Sequence, residues 1–207
     1  MGSSRQGERR EDGVSDARSL PDLRRRRLLA ALPALPIAGT ARAQADPWAS
    51  LRTPGHIALI RHAVAPGNFD PPGFTLGDCT TQRNLSEEGR QQARTIGGRF
   101  RANGIAMAAV YSSQWCRCLD TAALPGLGDV APQPLLNSFA QDSGRGEPQM
   151  RALRAWLAAL DLGRPTVLVT HQVVITDMSG VFPASGEIVV MQRDPAGAFT
   201  LRGRIAT

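Results

Sequence analysis

Lysine is missing altogether: all 24 basic residues of this 207-residue chain are arginine. Aromatic residues are scarce, at 5 %. The formal charge of +6 and the isoelectric point near 10.7 could suggest a nucleic-acid partner, but the distribution argues otherwise. Residues 1–45 hold 9 arginines and 5 acids, while residues 46–207 hold 15 arginines and 13 acids. A nearly neutral body with few aromatics lacks the basic, stacking surface that nucleic acid needs. There is no Gly-x-Ser-x-Gly elbow, no P-loop and no Gly-x-Gly-x-x-Gly after a strand, so three common routes to hydrolase or nucleotide chemistry are closed. No internal repeat is found, and no apolar run is long enough to span a bilayer.

Only three histidines are present, and two of them end the best strand patterns in the chain. His56-Ile57-Ala58-Leu59-Ile60-Arg61-His62 is an unbroken apolar run stopped by an Arg-His pair, and Pro165-Thr166-Val167-Leu168-Val169-Thr170-His171 repeats the pattern. Apolar runs without alternation predict strands buried on both faces. If the two strands are parallel, His62 and His171 emerge at the same sheet edge, beyond the carboxyl ends where open α/β sheets bind ligands. His56, which begins its strand, falls at the opposite edge.

The first 45 residues divide into a polar stretch, the basic cluster Arg24–Arg27, an uncharged run from Leu28 to Thr40, and the small residues of 41–45. That order predicts a signal peptide. Pro33 and Pro36 break the run, which excludes a membrane-spanning helix, and Arg25-Arg26-Arg27-Leu28-Leu29 fits a twin-arginine export signal. The expected organisation is therefore a signal segment over 1–45 and one catalytic-sized domain over 46–207, placed in the periplasm or secreted.

In the body, a Gly- and Pro-rich loop runs from Ala63 to Arg83, directly after the suspected site. Loops of this length are often binding loops. Ser86, followed by Glu87 and Glu88, predicts a capped helix ending at Asn103-Gly104. A strand over Ala108–Tyr111 and a helix over Gln114–Ala123 place Arg117 in a first helical turn at the same edge. Residues 124–148 read as loop around Leu135-Leu136, and Gln149–Leu160 as an amphipathic helix. Val173–Met178 reads as helix, and Ile188–Met191 and Phe199–Ile205 as strands. Alternating strands and helices predict a three-layer α/β/α sandwich around a mostly parallel sheet.

Arg61, His62, Arg117 and His171 thus converge in expectation. Two guanidiniums in a small space call for an oxyanion, which Arg forks onto bidentately. A neutral imidazole beside them can attack phosphorus and carry the phosphoryl group. A metal is not expected, because arginines among the histidines repel a cation and too few ligands converge.

These residues resemble the histidine phosphatase superfamily, which includes phosphoglycerate mutases. The resemblance rests on Leu59-Ile60-Arg61-His62, on Leu85-Ser86-Glu87-Glu88-Gly89-Arg90-Gln91-Gln92-Ala93, on Ser112-Ser113 with Arg117 and Thr121-Ala122, and on Val169-Thr170-His171. Ala63 departs from the family's usual glycine. The resemblance implies a phosphoglycerate mutase-like fold and His62 as nucleophile. Arg61, Arg117 and His171 would form the phosphate pocket, with Asn68 contacting substrate and no metal or other cofactor. It also implies a carboxylic acid after a strand at Leu135-Leu136. Asn137 and Ser138 stand there, so the role is assigned to Asp142, with Glu147 and Glu187 as alternatives. The implied function is an exported phosphatase acting on a small phosphomonoester. A mutase-like phosphotransferase and a non-catalytic phospho-ligand binder are the alternatives. The loop from Asp78-Cys79 to Arg83-Asn84, with Ser185-Gly186-Glu187, is also similar to periplasmic lipopolysaccharide-core heptose phosphate phosphatases. Export permits a disulfide, from Cys79 to Cys116 or Cys118; Cys116 and Cys118 point different ways on one helix and should not pair.

Overall fold

Strand β1, His56–Arg61, sits inside the molecule with its first five residues buried. Its side chains alternate between two cores. Ala58 and Ile60 pack into one, with Ile96, Phe100, Val110, Val167 and Val190. Ile57 and Leu59 pack into the other, with Met150, Leu153, Leu157, Leu168 and Val189. A strand that serves two cores has no polar face to show, which is why its sequence does not alternate. The computed structural model describes residues 46–207. The signal segment expected over 1–45 lies outside the described residues.

The remaining elements are α1 Pro47–Leu51, α2 Glu87–Ala102, β2 Ala109–Ser112, α3 Cys116–Ala123, β3 Val130–Pro132, α4 Gly146–Ala159, β4 Thr166–Thr170, α5 Gln172–Ser179, β5 Ile188–Arg193 and β6 Phe199–Ile205. The strands form one sheet in the order β3-β2-β4-β1-β5-β6. The pairs β1–β4, β2–β4 and β2–β3 are parallel, and β1–β5 and β5–β6 are antiparallel. Ile96 and Phe100 of α2 and Cys118 and Ala122 of α3 cover one face. Met150, Leu153 and Leu157 of α4 and Val174 and Ile175 of α5 cover the other, completing the α/β/α layers. Among the described residues no helix is long and apolar enough to cross a membrane.

Two local expectations are corrected. Residues 130–132 form a strand rather than loop; β3 is short, at the sheet edge and mostly exposed, where Pro132 is tolerated because its missing N–H faces no neighbour. Leu135-Leu136 lies in a 3₁₀ turn, Pro134–Leu136, rather than a strand. Pro134 presets the turn, and the Gln133 side chain accepts a hydrogen bond from the Leu135 N–H.

Helix α2 opens as its sequence predicts, with Ser86 Oγ accepting from Gly89 N–H at 3.0 Å. Its Gly89 has a second reason to be glycine. A Cβ there would stand 2.0 Å from the Val64 carbonyl oxygen, just past the end of β1. Gln92, one turn on, accepts from Val64 N–H at 3.1 Å and donates to Ser185 O at 2.9 Å. Thr121 Oγ1 on α3 accepts from Ala63 N–H at 3.0 Å. Residues that read as helix scaffold therefore hold the backbone that follows His62.

Gly89→Ala is expected to destabilise the protein by about 1–3 kcal/mol in denaturant unfolding, because rigid backbone must move to admit the methyl group. Gly98→Ala, an exposed position of the same helix with nothing within 4 Å, should be neutral or gain up to about 1 kcal/mol. Equal effects at the two positions would mean that the approach of Val64 to α2 is not a constraint.

Candidate active site

The register of β1 and β4 builds the site. Arg61 pairs with Thr170, and the His62 N–H donates to Thr170 O at 2.9 Å, so the residues one step beyond both strands are neighbours. Those residues are His62 and His171, whose ring centroids lie 5.6 Å apart. Both are buried. They line a cleft of about 370 Å³ together with Arg61, Asn68, Asp70, Arg83 and Arg117.

His62 Nδ1 lies 2.8 Å from the Ala63 carbonyl oxygen. A carbonyl can only accept, so Nδ1 carries the proton and Nε2 keeps its lone pair. Burial is the main force that lowers the His62 pKa from 6.5 to about 3; the Ala63 bond opposes it, and the charges of Arg117, Arg83 and Arg61 add to it. The ring is thus neutral at ordinary pH. His171 is held well below the usual histidine range, first by burial and then by His62 and the same arginines. Its Nε2 meets Ser113 Oγ at 2.8 Å and Cys118 Sγ at 3.4 Å. Ser113 Oγ also lies 3.2 Å from Asn137 Oδ1, so its single proton serves one partner or the other. When that proton goes to His171 Nε2, the other ring nitrogen bears a proton and can donate to an oxyanion. Burial pushes the Cys118 thiol up to about 12, which keeps it protonated beside the ring.

Three guanidiniums line the cleft, one more than the sequence suggested. Arg61 donates to Pro183 O at 2.9 Å, and Arg83 donates to Ala65 O at 2.6 Å and Gly67 O at 2.9 Å. Arg117 is gripped by Asp70: Nη1 reaches Oδ1 at 2.8 Å and Nη2 reaches Oδ2 at 3.1 Å. The Nε–H groups of Arg61, Arg83 and Arg117 are buried with no partner. Buried donors without acceptors are uncommon. Water does not reach these three atoms, so an oxyanion in the cleft would meet the terminal nitrogens of the arginines.

Asp70 was not foreseen. Among the described residues it is the one carboxylate lining the cleft, and besides Arg117 it accepts from Arg83 N–H at 3.0 Å and Trp115 Nε1–H at 3.0 Å. Burial works to raise its pKa, but the bonds from Arg117, Arg83 and Trp115 outweigh that and hold it below the usual carboxylate range. It is therefore ionised and fully engaged. The loop it anchors is also tied covalently, by a Cys79–Cys116 disulfide with the Cα atoms 5.7 Å apart. Gln82 Oε1 accepts from Cys116 N–H at 3.0 Å beside that link. Cys118 is free and buried.

The structure brings Arg61, His62, Asn68, Arg117 and His171 to one cleft. It does not bring the expected acids there. Asp142 is exposed at the head of the Ser143–Arg145 turn, its Oδ1 lying 3.6 Å from where a Cβ of Gly144 would stand. Glu147 is exposed on α4 and paired with Arg151 one turn on, i to i+4. Glu187 is buried behind the site, where it binds Arg204 and accepts from Ala184 N–H at 2.7 Å. A signal for Arg83 and Asp70 did exist in the Gly/Pro-rich loop beside the Arg-His pair, but nothing local distinguished them from solvated charges.

Residues 57–135 match the family model of the histidine phosphatase superfamily, branch 1. No curated protein matches the chain in sequence. The fold is similar to that of the protein histidine phosphatase SixA complexed with tungstate, with a TM-score of 0.52 and 18 % identity over 73 % of this chain and 96 % of that one. It is similar to phosphoserine phosphatase from Entamoeba histolytica in complex with 3-phosphoglyceric acid, with a TM-score of 0.52 and 15 % identity over 73 % and 97 %.

Three outcomes are expected. In ¹⁵N NMR at pH 5, where a free histidine is mostly doubly protonated, His62 should show a bare Nε2; a doubly protonated ring would refute the burial argument. Because the unfolded chain takes up the His62 proton near 6.5 and the folded chain only near 3, stability should fall as pH drops through that window. Asp70→Ala should cost about 3–5 kcal/mol in unfolding, since it strands a buried guanidinium.

Proposed function

We propose that this member of the histidine phosphatase superfamily is an exported phosphomonoesterase that works through a phosphoryl group carried on Nε2 of His62. The observation that carries the reading is the His62 ring: neutral, with its tautomer set by the Ala63 carbonyl, in a cleft lined by three guanidiniums. The arginines would hold the phosphate oxygens and leave phosphorus facing Nε2. Attack forms the Nε2–P bond and breaks the bond to the ester oxygen, with the arginines and His171 stabilising the charge that builds on the equatorial oxygens. Water then attacks phosphorus, the N–P bond breaks, inorganic phosphate leaves and the Nε2 lone pair returns. The net reaction is ester plus water to alcohol plus phosphate.

Export rests on the arginine cluster, the apolar run and the small residues before Asp46. It is consistent with the Cys79–Cys116 disulfide, which needs an oxidising compartment to persist. A small phosphate ester is the proposed substrate.

The protein should hydrolyse p-nitrophenyl phosphate, and His62→Ala should lower kcat/KM by about a thousandfold or more. Rapid quench with labelled substrate should trap an acid-labile, alkali-stable phosphoprotein that His62→Ala abolishes. Phosphate binding without turnover would favour a binder, and isomerised product without net phosphate release would favour a mutase. Cell fractionation should find a chain shortened to near Asp46 outside the cytoplasm; a full-length cytoplasmic chain would overturn the export proposal.

A further inference from the structure

Four large hydrophobic side chains are exposed among the described residues: Phe69, Met107, Phe182 and Leu201. The two aromatic ones, 65 % and 70 % exposed, both line the cleft that holds His62. Each adjoins a residue that sets a cleft arginine. Phe69 precedes Asp70, which grips Arg117, and Phe182 precedes Pro183, whose carbonyl accepts from Arg61 at 2.9 Å. The chain has six phenylalanines, so leaving two of them in water at one cleft needs a reason. Exposed apolar side chains grouped at one place mark a binding surface more often than single ones do.

A second observation concerns the leaving group. General acid catalysis requires a protonated side chain within reach of the departing oxygen. Among the described residues Asp70 is the sole carboxylate of the cleft lining, and its oxygens are all engaged as acceptors from Arg83, Trp115 and Arg117. Arginine does not give up its proton in proteins. The other polar side chains of the lining, such as Ser138, Gln141 and Gln172, are too weakly acidic to serve. A substrate whose leaving group departs without a proton from the protein removes the need for that acid.

Resting on the reading of His62 as phosphoryl acceptor, we infer that the cleft takes phosphate borne on an aromatic ring, with Phe69 and Phe182 forming the ring subsite. A phenolate spreads its charge into the ring and leaves more readily than an alkoxide. The same ring offers a face and edge to the two phenylalanines. In the step, the Nε2–P bond forms and the P–O bond breaks; the electron pair of that bond stays on the phenolate, which takes its proton from water after it leaves. The ring can come from a free aryl phosphate or from a phosphorylated tyrosine of a peptide.

The test is a series of substituted phenyl phosphates, with glycerol phosphate as the alkyl member, acetyl phosphate as a ringless substrate with a good leaving group, and a phosphotyrosyl peptide. We expect kcat/KM to fall steeply as the leaving group becomes more basic, and glycerol phosphate to be slower than phenyl phosphate by about a thousandfold. In Phe69→Ala and in Phe182→Ala, the ratio of kcat/KM for phenyl phosphate to that for acetyl phosphate should fall about five- to tenfold. Turnover of the peptide at the rate of phenyl phosphate identifies a peptide source of the ring, and turnover of phenyl phosphate alone identifies a free one. A phosphoryl label on His62 together with equal rates on glycerol and phenyl phosphates, or unchanged ratios in both phenylalanine variants, overturns this inference and leaves the phosphatase intact. No hydrolysis of any member and no label on His62 overturns the phosphatase reading itself.

Discussion

The parallel ladder between β1 and β4 is the constraint on which the site depends. Its register pairs Arg61 with Thr170, and the residues that follow are the two imidazoles. Slipping a parallel pair by one residue would turn every side chain of one strand to the wrong face. Here that would expose Ile57 and Leu59 to the core that needs Ala58 and Ile60. The hydrophobic layers therefore fix the separation of His62 and His171, and the His171 ring itself packs edge-on against Trp115 of one core, the centroids 5.1 Å apart. The chemistry inherits its geometry from the burial of a few aliphatic side chains.

Charge in the cleft is arranged unevenly. Three guanidiniums face one carboxylate, and both imidazoles are kept neutral by burial and by those same cations. A neutral imidazole keeps the lone pair that nucleophilic attack on a bound oxyanion requires, while the fixed cations hold that oxyanion's charge. Asp70 offsets one arginine and at the same time ties Trp115 and the Arg83 backbone to it. The excess positive charge is left to be matched from outside the protein.

Much of this was legible in the residues. Long apolar runs ending in histidine marked β1 and β4, and Ser86 and Asn103-Gly104 marked the ends of α2. These are local signals: a period, a cap and a stop. Strand β3 was not legible, because a short edge strand with an exposed surface has no hydrophobic period to detect. Asp70 and Arg83 were not legible either. Their roles exist only after a loop of more than a dozen residues folds back on α3, and an Asp between Phe69 and Pro71 in a Gly/Pro-rich loop looks the same whether it is solvated or buried. Asp142 failed for the complementary reason. Proximity in sequence to Asn137, which does reach the Ser113 hydroxyl at 3.2 Å, did not carry the chain's next acid into the cleft.

The link between Cys79 and Cys116 spans a separation of 37 residues and encloses all of α2 and β2. By chain entropy, closing a loop of that size restricts the unfolded ensemble by about 4 kcal/mol. In the folded chain the bond joins the segment after β1 to the first residue of α3, so it ties two walls of the cleft to each other. That tie outlasts local fraying of the loop, and it holds for as long as the surroundings stay free of reductant.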